Sequence, residues 1–193
     1  MALEIARDLA PEGPDVVVVP TGDGVILAGV AKGFADLVRA GLIGRAPRLV
    51  AVQPDGSAAI AAALEMGLNE ITPVPHATSV ADSLTVQCPR NALLCLRRVR
   101  ESDGGAVTVS DDAIIAAIPH LARTTGIFAE PAAAAALAGL QGALERHLIR
   151  RYERVVLLIT GSGLKDVPAA AKAVGIPEPV PPTLDAVAER LGM

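Results

Sequence analysis

Asp15-Val16-Val17-Val18-Val19-Pro20 runs directly into Thr21-Gly22-Asp23-Gly24. The first part is short, apolar and β-branched, the composition of a strand buried on both faces of a parallel sheet. The second is a glycine turn, and Val25 to Ala40 then carries a helical pattern. The same alternation extends along the chain. Leu49 to Val52 reads as a second strand, ended by Gln53-Pro54, and Ser57 to Met66 as an alanine-rich helix with Ser57 as its cap. Asn69 to Gln87, with Pro73 and Pro75, reads as a long loop, and long loops in compact domains tend to carry function.

Arg90 to Glu101 returns to helix and Ala106 to Val109 to strand. Ser110 caps a helix running to about Thr125. Glu130-Pro131 opens another, with Pro131 at the first position, where its missing N–H costs nothing. That helix passes through the alanine block Ala132 to Ala136 and on to about His147; alanine both favours helix and permits close packing. Val155 to Thr160 is the last strand, turned by Gly161-Ser162-Gly163. Strands alternating with helices imply an α/β fold: an open, mostly parallel sheet covered by helices on both faces. Residues 1–175 are expected to form the main unit. Residues 176–193 follow as a proline-rich linker, Pro177 to Pro182, and a terminal helix, Leu184 to Leu191.

Composition removes several function classes. The net charge of −4 provides no basic footprint for nucleic acid, and Phe34, Phe128 and Tyr152, the only aromatics, provide no stacking platform. No apolar run approaches the roughly 20 residues of a membrane span, and Met1 to Ala10 has no signal-peptide core. A soluble protein of the reducing cytoplasm is expected. Cys88 and Cys95 are spaced to share one helix face, which suits buried free thiols better than a bridge. His76, His120 and His147 have no metal-ligand spacing.

Two strand ends carry glycine turns, Gly22-Asp23-Gly24 and Gly161-Ser162-Gly163. Ligands of open α/β sheets bind at the carboxyl ends of strands. Glycines let main-chain N–H groups approach an anion, and the following helix adds its positive end. An anion cradle and an ordinary tight turn both remain open. Leu27 stands where the dinucleotide pattern needs glycine, and neither turn is followed by the Lys-Ser/Thr of the triphosphate pattern. Ser162 lacks the longer pattern of a nucleophile elbow. Glu130 either complements its helix N-terminus, the preferred reading, or contacts a ligand. Asp82 and Ser83 either line a substrate side or cap the long loop.

Four separate stretches, in order, carry a resemblance. They are Val18-Val19-Pro20-Thr21-Gly22-Asp23-Gly24 with Lys32-Gly33-Phe34, Ala81-Asp82-Ser83-Leu84 with Pro89-Arg90-Asn91, Gly126-Ile127-Phe128-Ala129-Glu130-Pro131, and Thr160-Gly161-Ser162-Gly163-Leu164-Lys165-Asp166. Together they resemble the threonine-synthase-like, fold-type II enzymes that depend on pyridoxal 5'-phosphate. The resemblance implies a tryptophan-synthase-beta-like fold, truncated here to its C-terminal portion, and a lyase acting on a small amino-acid substrate by β/γ-elimination or replacement. It implies that Gly22, Asp23, Gly24 and Val25 cradle the cofactor phosphate and that Thr160 meets the pyridine nitrogen. Threonine or serine dehydratase-like lyases share these motifs, and a non-catalytic phosphate-binding or interaction remnant is the alternative outside catalysis. An unrelated nucleotide-phosphate binder is a further one.

The sequence departs from the family's pattern twice. Asp23 stands where many members have Asn or Ser. A carboxylate about 4 Å from a phosphate costs roughly 1 kcal/mol in water and about 4 at a surface-like dielectric, so the side chain is expected to turn outward, and Asp23 disfavours a phosphorylated substrate. The family also forms its Schiff base through a lysine near the N-terminal end of a longer chain. The lysines here are Lys32, Lys165 and Lys172, none in a matching position, and all three are expected at the solvated surface. The sequence is expected to begin after that segment, with the N-terminal half supplied by another chain or present in an uncut gene product. The remaining piece is expected to self-associate or form a homo-oligomer through exposed apolar edges.

Overall fold

The valine run forms β1 (Val16–Pro20), buried along its whole length. Alternate side chains leave a strand on opposite sides, so Val17 and Val19 enter one apolar cluster while Val16 and Val18 enter another. The computed structural model describes residues 1–176 and 178–193; Pro177, at the start of the expected linker, lies outside the described residues. The sheet has four strands in the order β3 (Gly105–Val109), β2 (Arg48–Pro54), β1 and β4 (Val155–Leu157). Every pairing is parallel, and Val18 stands opposite Val50 on one side and Leu157 on the other.

Helices cover both faces, as the alternating pattern requires. The Val17 side packs against α1 (Ala2–Asp8), α2 (Val25–Arg39), α3 (Ala59–Glu65) and α4 (Ala92–Glu101). On the Val16 side, α6 (Pro131–Glu145) lies directly on the sheet, with α5 (Asp111–Thr125) packed against it and α7 (Val167–Val174) outside α5. The alanine block explains the close approach. Ala133 to Ala136 are fully buried, and a Cβ on Gly139 would meet Val52 Cγ2 at 2.5 Å. The terminal α8 (Leu184–Leu191) buries none of its residues.

Several local expectations are corrected. Ser57 does not cap α3; it closes a short 3-10 turn, Asp55–Ser57, and its hydroxyl accepts from Val86 N–H at 2.9 Å. The capping is done from the strand. The amide of Gln53, fully buried at the end of β2, accepts from the N–H groups of Ile60 and Ala61 at 2.9 and 2.8 Å and donates to the Thr21 carbonyl at 3.1 Å. β4 stops at Leu157 rather than Thr160, because it pairs only with β1 and the chain then diverts to form an isolated antiparallel bridge between Ala129 and Ser162. Cys88 and Cys95 do not share a helix face: Cys88 is exposed ahead of α4, and Cys95 is buried within it.

Two outcomes follow from these contacts. Replacing Gln53 by Met keeps the volume but leaves three buried main-chain groups unpaired, so denaturant unfolding should show a loss of roughly 2–4 kcal/mol. Burial pushes the Cys95 thiol up to about 12. Iodoacetamide at neutral pH should therefore alkylate Cys88 in the native protein and reach Cys95 only after denaturation, as peptide mass mapping would read.

Candidate functional site

β2 and β3 succeed β1 on one side of the sheet, whereas β4 is added on the other. The strand order therefore reverses between β1 and β4, and crevices outside the carboxyl ends of strands at such a point are where open α/β sheets bind ligands. The two glycine turns leave these two strands. The first turn and Thr160, which precedes the second, line one cavity of about 230 Å³, together with Val25, Ser83 and Glu130 among others.

The β1 end of the cavity is a bed of donors. Gly24 precedes α2 at φ +84°, with no side chain capping the helix. Among the described residues, no acceptor meets the N–H groups of Gly22 through Leu27; the first helical hydrogen bond runs from Ala28 N–H to the Gly24 carbonyl. Unpaired donors at a helix start favour an anion electrostatically. The Asp23 carboxylate is drawn to the next loop, where it accepts from Arg90 N–H at 2.9 Å, while its carbonyl accepts from Asn91 N–H at 3.2 Å. Both glycines are needed for packing as well. A Cβ on Gly22 would come 2.8 Å from the Ser83 carbonyl oxygen, and one on Gly24 would come 2.7 Å from Cys95 Cβ.

The β4 end is polar in a different way. Thr160 is exposed to the cavity and its hydroxyl has no hydrogen-bond partner among the described residues. Glu130 occupies the position before α6, but its carboxylate takes no helix N–H. The carboxylate instead lies in the cavity wall, with 11% of its side chain exposed, and pairs with Lys165 Nζ at 2.9 Å. Glu130 is therefore more than a helix-terminus charge, while Lys165, though paired, lies at the solvated surface as expected, with 63% of its side chain exposed. Lys32 likewise pairs with Asp36 on α2, away from the cavity. Ser83 reaches the cavity, whereas Asp82 does not line it. Sequence reasoning missed the Glu130–Lys165 pair, and no local pattern signals a contact across so long a separation.

Among the described residues, no group of three or more His, Cys, Asp or Glu could hold a metal ion, and no helix is long and apolar enough to cross a membrane. The site is that of an α/β protein whose strand ends suit a phosphorylated small molecule. The chain belongs to the pyridoxal-phosphate dependent enzyme family, whose model matches residues 1–161. It is 37% identical to the threonine synthase of Methanocaldococcus jannaschii over 90% of this chain and 43% of that protein. It is 35% identical to the threonine synthase of Methanosarcina acetivorans over 99% of this chain and 47% of that one. The chain thus spans about half the length of the curated relatives it matches. The fold is similar to part of the processed form of threonine deaminase isoform 2 from Solanum lycopersicum, with a TM-score of 0.68, 23% identity, and coverage of 91% of this chain and 48% of that one.

The residues present fit the family's cofactor at two points: free main-chain donors suit its phosphate, and the Thr160 hydroxyl suits a ring heteroatom. The cavity lining holds no lysine among the described residues. Gly24→Ala tests the cradle directly, because both the positive φ and the Cys95 contact oppose a Cβ. Thermal or denaturant melts should show a loss of roughly 1–3 kcal/mol, and calorimetry should show weaker binding of pyridoxal phosphate.

Proposed function

We propose that this chain supplies the C-terminal half of the catalytic unit of a threonine-synthase-like lyase, which acts on a small amino acid by β/γ-elimination or replacement. The observation that carries this reading is that Gly22 through Leu27, whose six N–H groups are unpaired among the described residues, line the same cavity as Thr160, whose hydroxyl is also unpaired. Gly22, Asp23, Gly24 and Val25 hold the phosphate by main-chain donation, and the α2 N-terminus adds to the attraction. Thr160 orients the ring at its far nitrogen. A hydroxyl can hydrogen-bond that nitrogen but cannot hold it protonated as a carboxylate would. Bound pyridoxal phosphate supplies the electron sink for a carbanion, and a weakly protonated ring suits chemistry in which a leaving group relieves that charge.

The cavity volume of about 230 Å³ lies below the roughly 300–1,000 Å³ that encloses a ligand of this size. This supports a site completed by the N-terminal half, which also brings the lysine. Exposed Val25 and Ile26 at the rim favour a covering partner, either that half or a second copy. The free thiols of Cys88 and Cys95 suit a reducing, cytoplasmic setting. The negative charge of Asp23 flanking the cradle favours an amino acid with an unphosphorylated side chain, as a threonine or serine dehydratase-like lyase would take. The absence of lysine from the described lining favours a second reading for the chain by itself, that of a binder without turnover.

Mixing the purified chain with a separately expressed N-terminal half of a threonine synthase should restore lyase or synthase turnover. The chain alone, treated with pyridoxal phosphate and borohydride, should carry no reduced adduct on Lys32 or Lys165. Turnover that never appears in the mixture supports the binder; an adduct on either lysine removes the need for the missing half.

A further inference from the structure

Among the described residues, Glu130 is the one carboxylate at the Thr160 end of the cavity; the other ionisable residue in the lining, Asp23, stands in the opposite turn and is engaged by Arg90 N–H. The Glu130 carboxylate is fixed from several directions. Its own N–H donates to the Gly161 carbonyl at 3.0 Å, and Gly163 N–H donates to the Phe128 carbonyl at 2.9 Å, so residues 128–130 and 161–163 form one unit. A Cβ on Gly161 would overlap the Glu130 carboxylate as it stands. That places the carboxylate against the residue that follows Thr160. On the outer side, Lys165 closes the pair at 2.9 Å. The adjacent Asp166 is occupied in capping α7, where it accepts from Ala169 N–H at 3.1 Å.

A lone carboxylate here would raise the proton affinity of a pyridine nitrogen held by Thr160, which is the effect a hydroxyl partner avoids. We infer that Glu130 is a positioning residue for the ring end of the cavity and that Lys165 neutralises it, so that the ring meets a hydroxyl in a wall of no net charge. The inference rests on the cofactor placement proposed above. It assigns the ammonium of Lys165 an electrostatic duty and no covalent one.

The test uses pyridoxine 5'-phosphate, which has the phosphate and the 3-hydroxypyridine ring but no aldehyde, so no lysine is needed to hold it. Its ultraviolet spectrum reads ring protonation directly. Bound to the wild-type chain, the ring should titrate at one pH. Lys165→Met should move that point up by on the order of one unit, a tenfold change in proton affinity. Glu130→Gln, which leaves the cation unpaired, should move it down. The combined variant should return near the wild type, since neutral replaces neutral. A structural role alone would alter melting temperatures without moving the ring titration. A bound spectrum with one common titration point in all four chains overturns this inference alone; no bound spectrum from the wild-type chain overturns the cofactor placement with it.

Discussion

The position of β1 between β2 and β4 is the constraint on which the remaining structure depends. A strand buried on both faces and paired on both edges has no freedom to shift, and its four valines send two side chains into each core. Because β4 joins on the side away from β2, the chain leaving β1 enters α2 on one face, while the chain leaving β4 runs on to α7 beyond α5 on the other. The opening between them is fixed by topology before any side chain is chosen. Gly22 and Gly24 after β1 then leave main-chain donors without side chains over them at that opening.

How much of this could be read from the sequence follows from the range of each interaction. The Val16–Val19 run, the Ser110 cap and Pro131 at the head of α6 act within a few residues, and each stands as expected. The alanine block was legible as close packing because alanine offers little else to bury. The cap of α3 was not legible. Ser57 has the right residue type in the right place, but a buried amide from the preceding strand, Gln53, reaches the helix first and leaves the serine to hold the Val86 loop. The early end of β4 and the Glu130–Lys165 pair depend on the same bridge between Ala129 and Ser162, a contact with no local sequence signal.

Asp23 shows how a residue that conflicts with one role can serve another. A carboxylate beside a phosphate is unfavourable, which favours a side chain turned away from the cradle. The Asp23 carboxylate does so by accepting from Arg90 N–H, and its carbonyl accepts from Asn91 N–H, while Asn91 Nδ2 reaches the Gly24 carbonyl at 3.4 Å. The turn and the loop leading into α4 are therefore joined by three hydrogen bonds. That loop continues from the segment containing Ser83 and Leu84, which also lines the cavity. The aspartate thus contributes to ordering the opening, and its carboxylate charge is partly satisfied by a main-chain donor.

The two ends of the cavity divide recognition by type of force. At α2, unpaired donors and the helix dipole attract charge without regard to what carries it. At Thr160, the groups present are a single hydroxyl without a partner among the described residues and a carboxylate paired with Lys165. The lining contains no amine among the described residues. On the function proposed above, what this half of the family's architecture would contribute is placement, an anchored phosphate and an uncharged environment for the ring. On that reading recognition and reactivity depend on different residues, so the one can be built without the other.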